Sequence, residues 1–256
     1  MLLALLLGLL RFLPLVDPMW LVWQWPFLKL LRPEPGVMAA GTLGLLVAAL
    51  VFARHEIGLI ATGIVRGAMG RASPGGRLLV QLILASLPPA MVLLAEFRFG
   101  WPAVLPGPEL LLAVGFLVSG FALLVADRIG FTVRRVEHLG YGGALLTGLF
   151  QAFAALPGLS QIGVVIVAAR LMDYERGAAL RLGVLLSVPW LVVGTGLGLR
   201  ALTVDLALLA TAIVAALAAL IALYWLLAIL RRRSFLPFAL LQIVAGAGLL
   251  WLWLGV

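Results

Sequence analysis

The chain has 256 residues, of which 64% are apolar and only 11% charged, and its mean hydropathy is +1.22. No water-soluble surface can be assembled from that composition, so the sequence reads as a polytopic membrane protein. The absence of cysteine excludes disulfides, thiolate zinc sites, thiol nucleophiles and iron–sulfur clusters, and two distant histidines, His55 and His138, argue against a transition-metal centre. A formal charge of +8 would suggest nucleic acid in a soluble protein; here it reads as arginine at cytoplasmic helix ends, and no nucleic-acid partner is expected.

In chain order, Met1 to Pro14 and Met19 to Leu31 are apolar runs too short or too broken to cross a bilayer, and Leu13-Pro14-Leu15-Val16-Asp17-Pro18 separates them. The first run has neither a basic leader nor a small-residue cleavage pattern, so no removable signal peptide is expected. Gly36 to Ala53 is a full-length span, Ile57 to Val65 is too short, and Leu78 to Ala95 and Glu109 to Ala126 are full-length again. Tyr141 to Leu156 and Leu159 to Leu171 form a second short pair, broken at Leu156-Pro157-Gly158-Leu159-Ser160. Leu182 to Leu199, Thr203 to Leu230 and Phe235 to Leu254 complete the chain.

The expected fold is therefore an all-α polytopic membrane protein forming a single membrane domain, 1–256. It has about six transmembrane helices and two helix-break-helix re-entrant hairpins, 1–31 and 141–171. Thirteen arginines, among them Arg54, Arg66, Arg135, Arg181 and Arg231 to Arg233, fall on one side of this topology, against Lys29, Arg32, Arg98 and Arg200 on the other. The rich side should be cytoplasmic, with Trp20, Trp23, Trp25, Trp101, Trp251 and Trp253 toward the outer interface. The hairpins then enter from opposite sides, which makes 1–126 and 127–256 an inverted-topology repeat meeting near the midplane.

Irregular backbone at membrane depth needs protein or a wet cavity around it, so the polar residues of the hairpins become the candidates for a site. These are Arg11, Asp17 and Gln24 in the first, and Gln151, Ser160 and Gln161 in the second, with Arg170 and Asp173 near its end. Arg11 and Asp17 are spaced for a local ion pair across Pro14. The Pro157-Gly158-Leu159-Ser160 break before a helix can offer backbone N–H groups and a hydroxyl to phosphate oxygens. Arg231 to Arg233 reads as a headgroup anchor.

The segment Gln151-Ala-Phe-Ala-Ala-Leu-Pro157-Gly-Leu-Ser160-Gln-Ile-Gly163, followed by Leu182-Gly-Val-Leu-Leu-Ser187-Val-Pro189, resembles the second signature of the undecaprenyl-diphosphate phosphatase family, the BacA or UppP type. Gly8-Leu-Leu-Arg11-Phe12-Leu13-Pro14 resembles the core of its first signature. Gly41 to Phe52 and Ser234-Phe-Leu-Pro237-Phe238-Ala239 resemble its later segments, in order along nearly the whole chain. The resemblance implies the same scaffold, a bacterial inner-membrane location, and a polyprenyl phosphate or diphosphate carrier lipid of cell-envelope synthesis as partner. It also exposes departures: the family's two glutamates correspond to Leu7 and Arg11, its serine pair to Val16 and Asp17, its histidine to Trp20 and its second-signature arginine to Gln161.

Hydrolysis of a phosphoanhydride needs an activated nucleophile and cations or donors on the phosphate oxygens. Leu7 and Val16 supply neither, and Arg11 inverts a charge that could hold a divalent cation. The sequence thus favours a non-catalytic binder or translocator of the lipid, with Arg11, Asp17, Gln151, Gly158, Ser160 and Gln161 around its phosphates. The alternative is an active phosphatase on a shifted residue set, with Asp17 and Ser160 as base and nucleophile. Mg²⁺ or Ca²⁺ enters only under that alternative, and otherwise no metal or cofactor is implied. A third reading is an assembly protein without a midplane ligand, and a homo-oligomer is compatible with all three.

Overall fold

The computed structural model of the chain describes residues 2–15, 34–99, 107–129, 134–198, 205–230 and 234–255. Among them are ten α-helices: α1 (Leu2–Arg11), α2 (Pro35–Phe52), α3 (Arg54–Ala68), α4 (Pro74–Phe99), α5 (Pro108–Ile129), α6 (Tyr141–Ala152), α7 (Gln161–Leu171), α8 (Arg176–Gly198), α9 (Leu206–Leu230) and α10 (Leu236–Leu254). The described residues contain no β-strand, only an isolated bridge between Arg134 and Tyr174.

Six of these helices, α2, α4, α5, α8, α9 and α10, are long and apolar enough to cross a membrane, and they coincide with the six spans expected from the sequence. Pro88 and Pro89 inside α4 and Pro189 inside α8 do not end their helices. Such breaks are tolerated where neighbouring helices surround the freed backbone groups. Large side chains such as Ile83, Leu87 and Met91 on α4 and Leu240, Leu241 and Val244 on α10 are exposed. Only a hydrocarbon solvent makes that outer surface favourable. Trp251 and Trp253 are exposed near the end of α10, whereas Trp20, Trp23, Trp25, Trp101 and the whole stretch Met19 to Leu31 lie outside the described residues.

The core gathers the inner faces of α2, α7, α8 and α9, with Phe12, Ile162, Ile166, Leu182, Leu185, Leu223 and Leu226 fully buried. α1 packs on α9 and α2, and α6 packs on α4 and α7. Both short helices approach their long partners through a glycine. A Cβ on Gly8 would lie 2.6 Å from the Ala215 carbonyl oxygen, and one on Gly148 would lie 2.3 Å from that of Ala85. Any larger residue would force these helices apart. α2 meets α8 and α5 meets α10, while α1 and α6 each keep an exposed apolar face, at Leu2 and Leu5 and at Leu145 and Leu149.

Candidate functional site at the break between α6 and α7

α7 is the most enclosed helix of the described set: every residue from Gln161 to Arg170 is buried. Its start is fixed by Ser160, whose side-chain oxygen accepts the Gly163 N–H at 3.3 Å as an N-cap. The same hydroxyl donates to the Leu13 carbonyl at 3.2 Å, joining the residues just after α1 to the start of α7. The break before it runs through a 3₁₀ turn, Phe153–Ala155, to Pro157 and Gly158. Gly158 adopts φ +84°, and a Cβ there would lie 2.5 Å from the Leu112 carbonyl oxygen of α5. Both the left-handed backbone and the close approach require glycine. At the other end of α7, Arg170 is buried and donates to the Tyr174 carbonyl at 2.7 Å and the Asp127 carbonyl at 3.4 Å, while Arg176 bridges the Asp127 carboxylate at 2.7 Å. These arginines close the end of the helix and do not reach the break.

Arg11 ends α1 and donates through Nη2 to Gln161 Oε1 at 2.7 Å, across 150 residues of chain. A hydrogen bond from a guanidinium at this distance is of the stronger, charge-assisted kind. The two residues line a cavity of about 180 Å³ together with Gln151, Trp190, Pro89 and apolar side chains of α4 and the 3₁₀ turn. Gln151 is 2% exposed and donates to the Leu186 carbonyl at 3.2 Å, but its Oε1 has no hydrogen-bond partner, and neither does the buried indole Nε1 of Trp190. Buried polar atoms are rarely left unpaired, so these two mark where a bound polar group or water would be satisfied.

Of the residues singled out in the sequence, Arg11, Gln151 and Gln161 come together on one cavity. Ser160 lies beside it as a cap, its hydroxyl engaged rather than free as the sequence suggested. Gly158 faces α5 and shapes the turn. Asp17 and Gln24 lie outside the described residues. The sequence reading missed Trp190. Its signal was the mid-helix Pro189 beside it, which withholds one backbone N–H from α8.

Fold and site together define a polytopic membrane protein with a polar cavity between the end of α1 and the α6–α7 break. The family model described as bacitracin resistance protein BacA matches residues 1–248, so the chain belongs to that family. It is similar to undecaprenyl-diphosphatase 1 of Rhodospirillum rubrum, at 38% identity over 256 residues covering 95% of this chain and 86% of that protein. It is also similar to undecaprenyl-diphosphatase 1 of Paramagnetospirillum magneticum, at 34% over 233 residues (86% and 84%). The undecaprenyl-diphosphatase of Desulforudis audaxviator is 33% identical over 250 residues (93% and 91%).

Proposed function

We propose that this protein hydrolyses undecaprenyl diphosphate or a closely related polyprenyl diphosphate, the activity that its relatives' names give for them, with the diphosphate held between the two hairpins. The observation that carries the binding site is the Arg11–Gln161 hydrogen bond on the wall of the cavity. The positions joined there are the ones where the family pattern has an acid and an arginine. Here the first hairpin supplies the cation and the second an amide, so one permanent positive charge still stands between them. Trp190 N–H and a reoriented Gln151 or Gln161 amide add donors for phosphate oxygens.

Hydrolysis adds water across the P–O–P bond, releasing inorganic phosphate and leaving the lipid monophosphate. Asp17 and Ser160 are the base and nucleophile of this reading, and Ser160 would have to release the Leu13 carbonyl to act. The described lining, a guanidinium, two amides and an indole, does not fit a divalent cation, which Arg11 would repel. Binding or translocation without hydrolysis is a second reading. It is favoured by the engaged Ser160 hydroxyl and by the lack of a carboxylate among the described lining residues, but the relatives' names weigh against it.

The proposed architecture is an inverted repeat with two re-entrant hairpins and its arginine-rich ends toward the cytoplasm. What supports it is the matching of partners: α1 lies on α9 through Gly8 as α6 lies on α4 through Gly148. The test of activity is phosphate release from undecaprenyl diphosphate by the purified protein in detergent, with an Asp17→Asn Ser160→Ala double variant alongside. Release abolished in the double variant is the expected result. No release from a folded protein that the lipid still stabilises would leave the binder reading in its place.

A further inference from the structure

A second cavity, of about 450 Å³, lies away from the hairpin breaks, among the starts of α3, α4 and α8 and the end of α9. Arg181, on its wall, precedes Trp190 of the first cavity by nine residues of α8, about 14 Å along the helix axis. Its described lining combines three carboxylates, Glu56, Glu137 and Glu175, with Arg135, Arg181 and His55, over an apolar wall that includes Leu59 and Leu227.

Glu56 decides what this cavity can hold. It is 7% exposed, and its Oε1 accepts from Arg181 at 3.5 Å, a long contact. Its Oε2 is buried with no hydrogen-bond partner. Arg181 is committed elsewhere as well, its guanidinium standing 5.3 Å from the centre of the Phe52 ring. A buried carboxylate oxygen is stable only when it accepts hydrogen bonds, so Oε2 calls for a donor that the described side chains do not supply. The three carboxylates also outnumber the two guanidiniums on the described lining by one negative charge. A metal ion is a poor match, since no group of three or more His, Asp or Glu among the described residues is arranged to hold one.

We propose that this cavity is a binding site for a primary ammonium group. Such a group carries one positive charge and N–H donors, which answers both the charge difference and the unpartnered oxygen. Glu56 Oε2 accepts one of those donors, and Glu137 and Glu175, both exposed, add negative charge to the outer lining without having to reach the same nitrogen. Arg135 on the same wall would meet an anion carried by the same molecule. That is the layout of an aminophospholipid headgroup, although a soluble amine offers the same ammonium chemistry.

The experiment measures the thermal midpoint of the whole protein in nanodiscs of phosphatidylethanolamine, phosphatidylcholine or phosphatidylglycerol, and in detergent titrated with ethanolamine. Only phosphatidylethanolamine and ethanolamine carry a primary ammonium, so the expected result is stabilisation by one or both. Stabilisation by the lipid alone identifies a membrane source, and stabilisation by ethanolamine a soluble one. Glu56→Gln should remove the response or weaken the amine affinity by about tenfold or more, the size of a lost hydrogen bond to a charged group. Should Glu56→Gln fold poorly, Leu59→Trp fills the cavity from its apolar wall while keeping the Glu56–Arg181 pair, and it should remove the response too. Equal midpoints in all three lipids without an ethanolamine effect, or a full response retained in Leu59→Trp, would overturn the proposal.

Discussion

Among the described residues, the first of the two segments at the cavity, α1, brings the Arg11 guanidinium to it, whereas the second, α6 through the break to α7, brings two amides and a capping hydroxyl, from Gln151, Gln161 and Ser160. The second is also the more rigidly specified: it has a left-handed glycine, an N-cap and a helix buried on all sides. The difference suggests a division of labour. The α6–α7 break holds a shape that little else could take, and α1 sets a charge against it.

Four substitutions sharpen or break this comparison. The largest effect is expected from Gly158→Ala, which combines a strained positive φ with overlap on the Leu112 carbonyl and should cost about 3 kcal/mol, read as a lowered thermal midpoint in detergent. Gln161→Arg puts a second guanidinium beside Arg11. The ligand-free protein should lose about 1–2 kcal/mol by repulsion in a partly desolvated site, while stabilisation by undecaprenyl diphosphate should grow. A lower midpoint with no added lipid response would show that the cation does not face the phosphate. Ser160→Ala removes the cap and the link to Leu13 and should cost about 1 kcal/mol of stability, whatever it does to turnover. Trp190→Phe keeps the ring packing and removes only the unpartnered N–H. Lipid affinity should fall by roughly fivefold, the worth of one neutral hydrogen bond, with the ligand-free midpoint unchanged.

The six membrane helices were legible in the sequence because eighteen or so largely apolar residues in a row have few other fates, and the structure places them close to the expected bounds except at the start of α8, which begins at Arg176 instead of Leu182. The break at Pro157-Gly158 was legible for a similar reason: proline cannot continue a helix, and glycine accepts the turn that follows. Pairing between distant residues was not legible. Arg11 is spaced for a local ion pair with Asp17, which lies outside the described residues, but nothing in the sequence points to its described contact with Gln161, a partner set by how α1 and α7 pack. The Ser160 hydroxyl was read as open to a ligand because a sequence does not show that the Leu13 carbonyl lies within reach. Trp190 was passed over because an apolar helix containing an indole looks like core until its N–H is found without a partner. The Glu56 cavity was invisible for the same reason. Its members come from five separate stretches of chain, and only the packed ends of the helices bring them together.

The account rests on Arg11 as the charge that holds the lipid diphosphate between the hairpins, and the most direct measurement is the rise in thermal midpoint on adding undecaprenyl diphosphate to wild type and to Arg11→Leu. Loss of a charge-assisted hydrogen bond should weaken binding by about ten- to a hundredfold, so the account predicts a clear rise in wild type and little or none in the variant at the same lipid concentration. An equal rise in both proteins would contradict it and place the diphosphate elsewhere.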